Sequence, residues 1–184
     1  LIELNLENKN LGVEYEAYGL TGRNAMMLNA SLSNFAKLHD ESFLITKHRL
    51  VKSDQEIVYI KKAAELADKA LEKAWELSHP GANESDILSA MQSAIFSGGG
   101  DYPGNEFIIG SGSNALLCRY FSGRRKLDPV DQLTLEFAGV YRHYHSALMR
   151  TIPIGKAQKE HLELYEICLE ALYACESKLK VGNS

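Results

Sequence analysis

No apolar run in this sequence approaches the ~20 residues needed to cross a bilayer, and its start, LIELNLENKN, has neither the charged region nor the apolar stretch of a signal peptide. A membrane partner is therefore not expected, and a cytoplasmic protein is. Basic clusters are missing too: the 20 Lys and Arg are scattered among 24 Asp and Glu, for a net charge of −4. No surface for phosphates forms that way, so nucleic acid is excluded as an expected partner. Cysteine is scarce, and Cys118, Cys168 and Cys175 are odd in number with no metal-like spacing. They read as buried thiols. The single tryptophan, Trp75, reads as a packing residue late in a helix. What remains is ample for folding, because 184 residues at 45% hydrophobic can bury a real core.

The first fifty residues read as αβ material: LGVEYE alternates like a strand, TGRNAMMLNASLSNFAKL has helical character, and FLITKHRLV reads as a second short strand. Too little precedes LGVEYE for a sheet of ordinary width, so this part is expected to be the tail of a larger domain. Ser53 and Glu56 then form a capping box ahead of Ile57, Ile60, Ala64, Ala67 and Leu71, which predicts a long helix over about 54–78. His79-Pro80-Gly81 ends it. Asn83 with Asp86 starts another, which stops at the glycines 98–100.

Strand EFIIGSG comes next, and then DQLTLEFAG, where Leu133, Leu135 and Phe137 alternate with Thr134 and Glu136. Gly139 and Val140 are expected to turn the chain into a returning strand, YRHYHSALMRT. A helix over about 158–180 closes the sequence, with Leu162, Tyr165, Ile167, Cys168, Leu172 and Cys175 on a broad apolar face. Its exit, LKVGNS, echoes LSHPGANES after the first long helix. Together with the matching helix lengths, this suggests an internal duplication whose second copy has begun at the end of the sequence.

The segment LTLEFAGVYRHYHSALMRT gathers one carboxylate, two histidines, two tyrosines and two arginines in what otherwise reads as buried strand. Glu136, between apolar Leu135 and Phe137, is the first candidate for a general base or nucleophile. His143 and His145, two apart on a strand, share a face with Ala147 and Met149 and could carry protons or donate to an oxyanion. Tyr144 and Arg150 fall on the other face. Tyr102 follows the glycine run, whose backbone can either approach a ligand or simply end a helix.

HRLVKSDQEIVYIKKAAELADKAL, HPGANESDI, IIGSGSNA and LEFAGVYRHYHSALMRT together resemble the aminopeptidase P, prolidase and creatinase superfamily. The resemblance implies an α+β fold: the first half of a pita-bread catalytic domain over residues 47–184, with an antiparallel hairpin sheet covered by long helices. Residues 1–46 resemble the C-terminal part of the family's N-terminal domain. Metal-dependent members carry an aspartate on the first hairpin strand and another eleven residues later, where this chain has Glu136 and Ala147. An alanine offers no lone pair, so no metal ligand and no cofactor is expected, with a divalent metal only under the peptidase reading. Where many members have a histidine after IIGSGSNA, Cys118-Arg119-Tyr120 stands here, and Arg119 suits anchoring a substrate carboxylate.

The run Glu136, Ala138, Gly139, Tyr141, Arg142, Tyr144, His145 is similar to the metal-free creatinase and ectoine hydrolase branch, and GGGDYPG is similar to that group as well. It implies metal-independent hydrolysis of a C–N bond in a small charged substrate, with Glu136, His145 and His143 the expected catalytic residues and Tyr102, Tyr144 and Arg150 expected to bind substrate beside Arg119, which departs from the ectoine hydrolase pattern. Two alternatives stand beside it: an Xaa-Pro dipeptidase or aminopeptidase with a dipeptide-like substrate, and a non-catalytic binding or assembly module. The superfamily's second half supplies a further histidine and two glutamates, so this piece is expected to be inactive alone and to be completed by a homo-oligomer or a missing C-terminal half.

Overall fold

A computed structural model describes residues 1–117 and 123–183. They form two compact units, Leu1–Asp54 and Gln55–Ser184. No helix among the described residues is long and apolar enough to cross a membrane.

In the first unit, strand β1 (Asn10–Val13) pairs in parallel with β2 (Lys37–Asp40), and helix α1 (Gly22–Leu32) connects them. Thr21 begins that helix by accepting the Asn24 N–H on its Oγ1 at 3.2 Å, an ordinary N-cap. The expected strand FLITKHRLV is instead a short helix, α2 (Leu44–Leu50). Two local contacts decide it: Phe43 takes a left-handed conformation (φ 69°), and Glu14 Oε1 accepts the Ile45 N–H at 2.9 Å at the helix start. Lys47, His48 and Arg49 then complement the negative end of the helix. A short apolar run does not distinguish strand from helix by periodicity.

The second unit holds the buried core. Helix α3 (Asp54–Leu77) contributes Ala63, Leu66, Ala67, Ala70, Leu71 and Ala74, a stripe at three- and four-residue steps. Helix α4 (Glu84–Ser97) adds Ile87, Met91 and Ile95. Both helices contribute to one cluster with Phe107, just before β3, and with Ile109, Leu133, Leu135 and Phe137 of a sheet ordered β3-β4-β5, where β3 is Ile108–Ser111, β4 is Asp131–Tyr141 and β5 is Tyr144–Ile154. The alanines of α3 matter because β4 comes very close. A Cβ on Gly139 would lie 2.0 Å from the Ala63 carbonyl oxygen and 2.5 Å from the Ala67 nitrogen. Helix and strand therefore meet backbone to backbone, and only glycine fits.

That contact explains why the hairpin does not turn where expected. Gly139 and Val140 remain in β4, and the turn lies at Arg142 and His143, both left-handed (φ 51° and 65°). The conformation is that of a type I′ hairpin, built here without glycine or asparagine. Helix α5 (Lys159–Lys178) follows β5 and has no buried residue; Cys168 and Cys175 on it are exposed, as is Trp75 on α3. The thiols are thus surface groups rather than core ones. Cys118 lies outside the described residues.

Candidate active site on the hairpin sheet

Alternation along β4 sends Leu133, Leu135 and Phe137 into the core and leaves Glu136 on the opposite face, half-buried. Cross-strand register sets its company. Glu136 pairs with Met149 on β5 and Ile108 on β3, Ala138 with Ala147, Thr134 with Thr151, and Val140 with His145. Directly paired residues project to the same side, so on this face the Glu136 carboxylate lies between Met149 and Ile108, with the small Ala138–Ala147 pair next along the strands. Tyr144 pairs with Tyr141 and Arg150 with Leu135, which places both in the other row. Arg150 is exposed, and its Nη1 donates to the Met149 carbonyl at 2.8 Å.

His145 shares the face of Glu136 but not its neighbourhood. Its partner Val140 lies four residues along β4 from Glu136, about 13 Å at the usual strand rise, so the two side chains are out of hydrogen-bond reach. His143 sits in the turn rather than on the strand, and its N–H donates to Asp101 Oδ2 at 3.2 Å. Tyr102 is 81% exposed on the loop beside the hairpin, its ring 4.9 Å from that of Phe96. The glycines before it both end α4 and allow close approach: a Cβ on Gly100 would come within 2.8 Å of the Val140 carbonyl oxygen. Arg119 lies outside the described residues.

The base of the hairpin holds an ionic network that sequence patterns did not single out. Glu84 opens α4 and is fully buried. Its carboxylate accepts the Ser111 hydroxyl at 2.6 Å and the backbone N–H groups of Arg124 and Arg125 at 3.0 and 3.1 Å. Arg125 Nη1 donates to Ser111 Oγ at 2.7 Å and to Asp131, and its Nη2 donates to Asp128. Burial pushes the Asp131 carboxyl up, but the Arg125 hydrogen bond together with the Asp128 and Gln132 N–H groups outweighs it and leaves Asp131 below its ordinary value. Asp131 in turn raises Arg125. The signal available for Glu84 was its place, a carboxylate in the first helical position after the HPGAN turn, where the helix dipole favours an anion.

At the tip the contacts are neutral or half-exposed. Tyr144 donates its hydroxyl to Glu56 Oε1 at 2.8 Å, and the Tyr59 ring stands 5.9 Å from that of Tyr141 and 5.7 Å from that of Tyr144.

An antiparallel hairpin sheet covered by two helices on one face is the architecture of one half of a pita-bread domain. The chain belongs to Metallopeptidase family M24, whose sequence pattern matches residues 58–184. It is 30% identical over 175 residues to an Xaa-Pro dipeptidase of Pyrococcus horikoshii, covering 95% of this chain and 48% of that protein. The prolidase structure of the same organism matches with a TM-score of 0.78 at 29% identity, over 92% of this chain and 48% of that one. The aminopeptidase PepP of Pseudomonas aeruginosa shares the fold at a TM-score of 0.81 and 23% identity, over the whole of this chain and 44% of its own. The chain thus spans about half the length of these relatives.

These findings correct two expectations. The peptidase reading stands ahead of the creatinase-like one, and the expectation of no cofactor is overturned by membership of a metallopeptidase family. That expectation rested on Ala147 and on the likeness to the metal-free branch, and both report only the donors of one half of a site. The fit of a metal to the described residues is a separate matter. They contain no group of three or more His, Cys, Asp and Glu able to hold an ion, and the face around Glu136 offers methyl groups at Ala138 and Ala147 and a thioether at Met149. A hard divalent cation takes six or so oxygen ligands, so the described residues do not by themselves fit a metal pair.

Proposed function

We propose that this chain forms one wall of the catalytic site of a peptidase that cleaves the bond before proline in dipeptides, with the open sheet face around Glu136 turned toward the substrate. Family membership and the likeness to an Xaa-Pro dipeptidase along 95% of the chain support it. The observation that carries it is the placement of Glu136. It is a carboxylate in the central strand, facing away from the core, directly between Met149 and Ile108 and next to the Ala138–Ala147 pair. A carboxylate so placed can orient a water or accept its proton. Tyr102, on the exposed loop, is the substrate contact within reach of solvent. Because the relatives are about twice as long, we place the opposing wall, with further polar groups, outside these 184 residues, in additional chain or in a partner subunit.

The test is release of proline from Xaa-Pro dipeptides by the full-length gene product with manganese or cobalt added. Glu136→Gln should lower kcat by about a hundredfold or more, the usual cost of losing a general base. An unchanged kcat in that variant would remove Glu136 from the chemistry. Absence of turnover by the unmodified protein would sink the peptidase reading. A second reading, a member of the fold that binds without cleaving, is favoured by the Ala138–Ala147 pair, and it predicts saturable binding of an Xaa-Pro dipeptide with no product.

A further inference from the structure

His145 makes two hydrogen bonds whose partners fix its chemistry. Its Nε2 lies 2.9 Å from the Gly104 backbone nitrogen, which can only donate, and its Nδ1 lies 2.9 Å from the His143 carbonyl oxygen, which can only accept. The ring must therefore be neutral with its proton on Nδ1. Neither nitrogen is left for a substrate while both bonds stand. The bond to Gly104 spans 41 residues and fastens the loop bearing Tyr102 to the hairpin, next to Asp101, whose N–H donates to the Val140 carbonyl at 3.0 Å.

We propose that His145 is a positioning residue: in its neutral Nδ1–H form it pins the Asp101–Gly104 loop to the hairpin, and protonation of Nε2 releases Gly104 and frees Tyr102 to move. An imidazolium would turn a second N–H toward the Gly104 N–H, so this bond is lost on protonation while the one to His143 is kept. The hairpin itself stays in place, because the Tyr144–Glu56 bond and the rings of Tyr59, Tyr141 and Tyr144 grip it from α3 independently of the imidazole. The ionisable groups beside the latch are Asp101, Tyr102 and Glu106 on the loop and Arg142 and His143 in the turn, with the His143 N–H on Asp101 Oδ2; Glu56 and Tyr59 meet Tyr144 and Tyr141 in the other row of the hairpin. The loop borders the face proposed above for substrate, but the latch rests on hydrogen bonds that hold whatever that face binds.

Nitrogen NMR of His145 and hydrogen exchange of the Gly104 amide test it without any assay of activity. At pH 8 the ring nitrogens should report the Nδ1–H tautomer. Between pH 8 and 5, the range in which histidines change charge, the protection of the Gly104 amide should fall about tenfold, the equivalent of one lost hydrogen bond. His145→Gln offers an acceptor that does not titrate, so its protection should stay flat with pH. His145→Ala should be unprotected throughout. An Nε2–H tautomer at pH 8, protection that does not change with pH in the unmodified protein, or a His145→Gln variant that follows the same pH course as the unmodified protein would overturn the proposal.

Discussion

The two ends of one hairpin are held by opposite kinds of chemistry. At its base Glu84, Arg125, Asp128 and Asp131 meet as charges, two of them almost wholly out of water, with Ser111 and backbone N–H groups filling the remaining sites. At its tip a tyrosine hydroxyl on the half-buried Glu56 carboxylate, three aromatic rings and a neutral imidazole do the holding, partly in solvent and with no ion pair among these described residues. A buried charge is strongly destabilising if it loses its partner, whereas a half-exposed hydrogen bond can be exchanged for one to water. The base is thus built to stay and the tip can adjust. Glu136 lies between them, on a strand whose base end is fixed.

Removing the carboxylate at the centre of the base should cost most. Glu84→Ala leaves the Ser111 hydroxyl and the Arg124 and Arg125 N–H groups without their acceptor, and urea unfolding should show a loss of about 4 kcal/mol at ~1–3 kcal/mol for each buried unpaired donor, partly offset by relaxation. A loss near zero would mean that the network is solvated, and the contrast between base and tip would collapse. Asp131→Asn comes next, at about 3 kcal/mol near neutral pH, because it leaves the half-covered Arg125 cation short of an anion. Its pH dependence carries a sign. The Asp131 carboxyl is depressed in the folded state, so its contribution is present above the unfolded value and is lost as pH falls through the folded one. The unmodified protein should therefore lose stability on acidification below about pH 4 more steeply than Asp131→Asn does. Parallel acid limbs for the two proteins would remove Asp131 from the account.

Much of this arrangement was legible in the order of residues. Alternating Leu133, Leu135 and Phe137 marked β4 and put Glu136 on the opposite face, and the glycine run marked the end of α4. The turn was misplaced because Gly139 looked like a turn residue, when its missing side chain serves the close contact with Ala63 and Ala67. Glycine signals two things, a left-handed backbone or a lack of room, and only the neighbouring helix distinguishes them. The apolar face of α5 illustrates a related limit: periodicity marks a helix face but not what covers it, and here nothing on that helix is buried. Glu84 was overlooked because a helix-opening glutamate reads as a surface residue. Its burial depends on a loop forty residues away. The cofactor expectation failed for a similar reason, since Ala147 describes only the donors that this chain brings.

The smallest effect is the most diagnostic of the tip. Tyr144→Phe deletes one hydroxyl that donates to Glu56 and keeps the ring beside Tyr59. Because Glu56 is half-buried and can turn to water, the loss should be about 1 kcal/mol, the net value of a single hydrogen bond. The left-handed pair Arg142 and His143 sharpens that expectation. Two non-glycine residues in this conformation cost about 1 kcal/mol or more each, and their neighbours must hold them there. If the tyrosine contacts do so, Tyr144→Phe should also speed amide exchange at Arg142 and His143 while leaving Leu133 and Leu135 unchanged. Faster exchange along the whole of β4 would mean that the tip secures the entire hairpin, and the division between a fixed base and an adjustable tip would fail.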